Sequence, residues 1–180
     1  MRYSDIFRAE LALFDDVRLA DEVARLLDDV VPDYFWLVAA SSSGKYHPWY
    51  SLGYGGLVRH TKAAVKIASD LLELEQYRHL SKDYILAALI LHDTFKHGLN
   101  GEQYTVFEHP LVAASQVYKN CLPEFKDDMY EISVLIASHM GQWTSVENKP
   151  ILPAPVTEDQ KFVHLCDFLA SRRYITVEVI

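Results

Sequence analysis

The 180-residue chain is long enough for one compact domain with a sizeable core, and its 50% hydrophobic, 23% charged composition excludes a disordered or collagen-like chain. A net charge of −8 weighs against a protein that coats nucleic acid, since neutralising phosphates takes a basic surface. No apolar run nears the ~20 residues of a bilayer-spanning helix, Met1-Arg2-Tyr3-Ser4-Asp5 does not open a secretory leader, and Cys121 and Cys166 build no disulfide framework. A soluble cytoplasmic protein with no membrane partner is expected.

Apolar residues recur mostly at spacings of three and four, the helical period. A first helix is predicted over 3–13, a second over 20–30 with Val23, Leu26, Leu27 and Val30 on one face, and one more helical turn at Tyr34-Phe35-Trp36. Residues 41–56, rich in Ser, Gly and Pro, read as irregular. A long helix follows over 56–75. Ser81 suits the N-cap of a helix running through Lys96, which Gly98 ends. His109-Pro110 opens a helix to about Leu122, because Pro is tolerated in the first turn. Asp127 or Asp128 caps the next, which ends at Gly141; 142–156, with Pro150, Pro153 and Pro155, is a loop. Thr157 and Gln160 have capping-box spacing and open a last helix to about Arg173. The tail, 174–180, has strand-like composition but no partner. The fold class is all-α, a single compact multi-helix bundle.

Several metal-capable side chains fall on faces that this periodicity buries. His60 shares a face with Leu57, Ala64 and Ile67; His92 follows Leu89 and Ala88, with Asp93 beside it; His139 continues Ile132, Leu135 and Ile136; Asp167 follows Val163 by four. A lone histidine on an apolar face is usually an ordinary hydrogen-bonded core residue. Burying four such groups separately, each at a cost of a few kcal/mol when unpartnered, is a different matter. One metal ion satisfies imidazole and carboxylate together.

His60, then His92-Asp93, then Asp167 is an ordered set that resembles the HD-domain metal-dependent phosphohydrolases, an all-helical superfamily. The segment from Gly55 to Thr61 looks like the family's Gly-Leu-x-x-His-Thr, and Leu91 to Lys96 looks like its His-Asp-x-x-Lys core. Glu108-His109-Pro110 and Ser138-His139 resemble the two further histidines of members that hold two metals. The resemblance covers about 55–173, which leaves 1–54 as N-terminal helices and an irregular loop packed on the helical core, and 174–180 as a tail. Two features depart from the pattern: Met140 follows His139 where many two-metal members have a second histidine, and Thr94-Phe95 stand where the family often has glycine.

The resemblance implies a first metal held by His60, His92, Asp93 and Asp167, with Asp93 bridging to a second held by His109 and His139. The cofactor is then one or two divalent transition-metal ions (Mn, Fe, Co, Ni or Zn). The implied reaction is hydrolysis of a phosphate ester, of a nucleotide or related small molecule, by a metal-activated water, with Asp93 and Lys96 as catalytic residues. Lys96 shares a face with His92 and Asp93, and its ammonium pairs with Asp93, with substrate phosphate, or only with water at a helix C-terminus. Candidate substrate contacts are Lys45 and His47 in the loop before the His60 helix, Arg59 and Lys62 flanking His60, and His164 near Asp167. A Walker A reading of Ser42-Ser43-Gly44-Lys45 fails, because Ala39 and Tyr46 stand where that motif needs Gly and Ser or Thr. Two alternatives stay open: a phosphodiesterase or exonuclease on nucleic acid, which the acidic balance disfavours, and a metal-binding sensor or scaffold with little turnover.

Overall fold

The computed structural model describes residues 2–41 and 44–178. Ser42 and Ser43 of the predicted irregular segment and Val179 and Ile180 of the tail lie outside the described residues. In chain order the α-helices are α1 (Arg8–Leu11), α2 (Val17–Asp29), α3 (Gly56–Leu72), α4 (Lys82–Leu91), α5 (His109–Asn120), α6 (Lys126–Ala137) and α7 (Glu158–Ala170). Single 3₁₀ turns lie at Tyr3–Phe7, Asp33–Trp36, Trp49–Ser51, Glu75–Tyr77 and Pro123–Phe125. No strand occurs among the described residues, so the fold is all-α. No helix among them is long and apolar enough to cross a membrane.

The bundle is organised around α4. Every residue from Ile85 to Leu91 is buried, and a helix that is apolar all round must lie in the interior. It packs against α2, α3, α6 and α7, while α5 covers α6. Each fully buried Leu or Ile contributes about 1.5–3 kcal/mol, so this one helix anchors the elements that carry the polar centre. The N-terminal segment closes the bundle from one side. Ser4 hydrogen-bonds Asp28 through its backbone N–H and its hydroxyl, Phe7 and Phe35 are fully buried, and Lys62 of α3 donates to the Ile6 carbonyl at 2.9 Å and pairs with Glu10.

Near the N-termini of three elements the boundaries differ from the sequence reading, each for a local reason. The predicted first helix is a 3₁₀ turn followed by the short α1, because Ser4 is held by Asp28 and Phe7 turns inward with non-helical backbone angles. Helix α2 starts at Val17, earlier than the predicted 20, because Asp16 caps it by accepting from the Arg18 N–H. Helix α6 flows out of the Pro123–Phe125 turn, so Asp127 and Asp128 occupy its first turn instead of its cap. Asp128 accepts from the Tyr84 hydroxyl at 2.6 Å, tying α6 to α4. The Thr157–Gln160 capping box is present as predicted, and the described part of the tail has no strand.

Gly56, at the first position of α3, lies against the chain that precedes it. A Cβ there would come within 2.2 Å of the Ser51 carbonyl oxygen, which is backbone and cannot swing away. Gly56→Ala is therefore expected to destabilise the protein by about 1–3 kcal/mol through overpacking, despite alanine's better helix propensity. Urea denaturation checks this.

Candidate metal centre

The helices stop where the polar residues begin. The predicted helix through Lys96 ends at Leu91, and 92–101 run as turns. Two side chains take the carbonyls that another helical turn would use: His92 Nδ1–H donates to Leu89 O at 2.7 Å, and the Thr94 hydroxyl to Leu91 O at 2.7 Å. Side-chain donors that compete for backbone carbonyls end a helix in this way. α6 ends likewise at Ala137, short of the predicted Gly141. Ser138 Oγ donates to Val134 O, and His139 Nδ1–H donates to Ile136 O at 2.8 Å. His109 repeats the device, its Nδ1–H donating to Val106 O at 2.7 Å. A carbonyl only accepts, so these bonds place the proton on Nδ1 in all three rings and turn each Nε2 toward the centre. This is how ligating histidines are usually oriented.

Asp93 sits in the middle. Its Oδ2 is 3.4 Å from His92 Nε2 and 3.9 Å from His60 Nε2, and Lys96 Nζ approaches it to 2.5 Å. Its Oδ1 is 3.1 Å from His109 Nε2 and 3.7 Å from His139 Nε2. Asp167 Oδ1 accepts from His60 Nε2 at 2.9 Å and lies 3.5 Å from His92 Nε2. Three groups of these residues offer ligand atoms close enough for one ion: His60, His92 and Asp93; His92, His139 and Asp167; and Asp93, His109 and His139. His92 Nε2 and Asp93 Oδ1 are buried and have no hydrogen-bond partner, and an unpaired buried polar atom is costly. His109 Nε2 and His139 Nε2 face each other at 3.2 Å. With both Nδ1–H groups committed to carbonyls, these two Nε2 atoms oppose their lone pairs when both rings are neutral, an arrangement that a cation would relieve. The donor set fits a divalent transition metal.

Charge in the pocket follows from these contacts. Burial opposes ionisation of Asp93, but Lys96 and His92 outweigh it and hold the carboxyl well below the usual carboxylate range. Asp167 is likewise disfavoured by burial and held low by His60 and His92. Burial opposes charge on His92, and the two aspartates overcome it, pushing its pKa up to about 10. His139 is pushed down to about 3, by burial first and then by the neighbouring His92. Positive charge is thus favoured between the two carboxylates, the place that a divalent cation would fill.

Asp93, Lys96, His109, His139 and Asp167 open onto a cleft of about 450 Å³. His47 lines it as well, its ring 5.6 Å from that of His60. The other predicted substrate contacts do not reach it. Arg59 spends its guanidinium on the carbonyls of Tyr50, Leu52 and Tyr54, and faces a separate groove with Trp49 and Val177. Lys62 is the tie to Ile6 and Glu10 described above. Lys45 lies over the Tyr46 ring and is not a lining residue. His164 supports the turn instead: its Nδ1–H donates to His139 O at 2.8 Å, and its ring fills the space beside Gly141, where a Cβ would lie 2.1 Å away. Among the lining residues that escaped the sequence reading are Tyr46, Trp143 and Arg172. Tyr46 adjoins His47 and was within reach. Trp143 lies in a loop and Arg172 beyond the end of α7, where periodicity says nothing.

Buried histidines and aspartates drawn from α3, the end of α4, α5, the end of α6 and α7 define a helical domain with a metal-capable centre of the His-Asp class. The HD domain family model matches residues 57–171, and the chain belongs to that family. It is also similar to the dihydroneopterin 2',3'-cyclic phosphate phosphodiesterase of Methanocaldococcus jannaschii, with 28% identity over 136 residues, 69% of this chain and 49% of that protein. The chain therefore spans about half the length of this relative. No solved structure matches it.

Returning Mn²⁺ or Co²⁺ to chelator-treated protein is expected to raise its thermal midpoint. The gain is about 2.7 kcal/mol at a free-ion concentration a hundredfold above Kd, and calorimetry measures it. Asp93→Ala, which removes the one carboxylate shared by both ends of the cluster, should lose most bound metal in elemental analysis. Full retention rules this arrangement out.

Proposed function

We propose that the chain is a metal-dependent phosphohydrolase acting on a phosphate ester of a small, nucleotide-like molecule. The opposed Nε2 atoms of His109 and His139, with Asp93 Oδ1 beside them, carry this reading, because one cation would satisfy all three. His60, His92, Asp93 and Asp167 would hold one ion. His109 and His139 would hold a second, with Asp93 shared. When bound, such ions supply Lewis acidity to phosphoryl oxygens and lower the pKa of a water.

The chain's own residues supply the rest. Lys96 stands at the cleft beside Asp93, where its ammonium balances the carboxylate and reaches a phosphoryl oxygen. His47 lines the cleft with its ring beside that of His60, and its Nδ1 is buried with no hydrogen-bond partner, which leaves it to hydrogen-bond substrate. The backs of His92, His109 and His139 are pinned by carbonyls, so the ligand atoms are held in place before substrate arrives. A cleft of about 450 Å³ is of the size that takes a small molecule, and the net charge of −8 disfavours a nucleic-acid polymer. The relative's printed activity favours a cyclic phosphodiester as the reacting group. A cytoplasmic setting, with Cys121 and Cys166 buried and free, belongs to the same reading.

The direct test is hydrolysis of a 2',3'-cyclic nucleotide, a nucleoside monophosphate and bis(p-nitrophenyl) phosphate, each with Mn²⁺, Fe²⁺, Co²⁺, Ni²⁺ and Zn²⁺. Turnover of at least one is expected; none with any ion overturns the small-molecule phosphohydrolase reading. His139→Ala should lower the metal count from about two to about one, measured by elemental analysis. Lys96→Met keeps the aliphatic stem and removes the charge. It is expected to retain metal and lose at least about tenfold in kcat, the lower end of what removing a transition-state contact costs. A wild-type rate removes Lys96 from the site.

A further inference from the structure

The cleft has a second half that the metal centre does not use. Trp143 and Tyr46 line it and remain 45% and 57% exposed, although large aromatic side chains are normally drawn into packing. Trp143 stacks on Phe168 with ring centroids 5.8 Å apart and planes 15° from parallel. The Arg172 guanidinium lies 4.2 Å from the Phe168 centroid and 6.0 Å from that of Tyr46. One wall of the cleft is therefore a run of flat π surfaces with a planar cation set among them.

Arg172 is fixed but not neutralised. Its Nε donates to Phe168 O and Ser171 Oγ, and its Nη2 donates to Ser171 Oγ at 2.8 Å. Among the described residues no carboxylate pairs with it, whereas Lys96, the other cation at the cleft, is engaged by Asp93. An acidic protein that holds an arginine rigidly in a cleft, without a counter-charge, has a place for an anion. Guanidinium matches phosphate oxygens in planar, paired hydrogen bonds. Exposed aromatic faces bind planar heterocycles by stacking.

We propose that Tyr46, Trp143 and Arg172 form the specificity subsite of this centre. Trp143 and Tyr46 hold the planar heteroaromatic ring of the substrate, and Arg172 holds phosphate oxygens on the side away from Lys96. The proposal rests on the phosphohydrolase reading and adds to it the residues that recognise the ring and the phosphate of such a substrate. Binding energy from the ring, remote from the reacting phosphorus, then positions the ester against the metal-side residues.

The test is read on binding, so that it fails separately from the activity reading. Metal-loaded protein is titrated by calorimetry with adenosine monophosphate and with ribose 5-phosphate, which lacks the ring. Wild type is expected to bind the nucleotide at least about tenfold more tightly, the order of one base–aromatic stack. Trp143→Ala should bring that ratio close to one, and Trp143→Phe, which keeps a ring against Phe168, should restore most of it. Arg172→Gln should weaken both ligands by about tenfold and leave the ratio intact, since charge-assisted hydrogen bonds are lost but the ring surface is not. Equal binding of the two ligands by wild type overturns the ring subsite, as does a ratio unchanged in Trp143→Ala. Undiminished binding in Arg172→Gln overturns the phosphate contact.

Discussion

A carboxylate at the centre of an apolar bundle must be compensated from every side, and Asp93 imposes that requirement on the rest of the molecule. One of its oxygens meets Lys96, His92 and His60; the other meets His109 and His139. Burial alone would drive Asp93 to the neutral form, yet its partners keep it ionised. Those partners come from α3, α5, the end of α6 and the turns after α4. Assembling the centre and packing the bundle are therefore one event, and a helix out of place would leave a buried charge without a partner.

Rigidity comes from the way the helices end. His92, His109 and His139 each donate from Nδ1 to the carbonyl three residues back. The same bond terminates or starts a helix, selects the tautomer and aims Nε2 inward. Around them the supports are apolar or backbone: the all-buried face of α4, the Ser51 carbonyl against Gly56, and the His164 ring against Gly141. The site is thus held by elements whose own positions are fixed by packing.

The two sides of the cleft differ in character. The side with Asp93, Asp167 and the histidines is charged, largely buried and holds polar atoms without a hydrogen-bond partner, whereas the side with Tyr46, Trp143 and Arg172 is aromatic and partly exposed, with a cation that no carboxylate among the described residues pairs. On the reading proposed above, the first side serves the chemistry and the second the recognition of substrate. The second is drawn from a loop and from the residues just past a helix, the segments where a scaffold can change its ligand without disturbing its core.

Periodicity and punctuation were enough to read the helices that carry a strong apolar face, α3, α4, α5 and α7, and to place His60, His92, His139 and Asp167 on buried faces, because both properties are local. The pairing of Thr157 with Gln160 was legible for the same reason. What lay beyond the sequence was direction. Arg59 stands beside His60 in the chain but points about 100° away around the helix, where three carbonyls take its guanidinium. The stop of α4 at Leu91 depended on His92 and Thr94 competing for carbonyls, a contest that no propensity records. Trp143 and Arg172 reach the cleft only because the loop after α6 and the end of α7 curl over it. The amino-acid order by itself determined which polar side chains would fall on buried faces and so would need partners there. The tertiary structure alone decided which of them face one another, since that depends on how separate helices pack and not on spacing within any one of them.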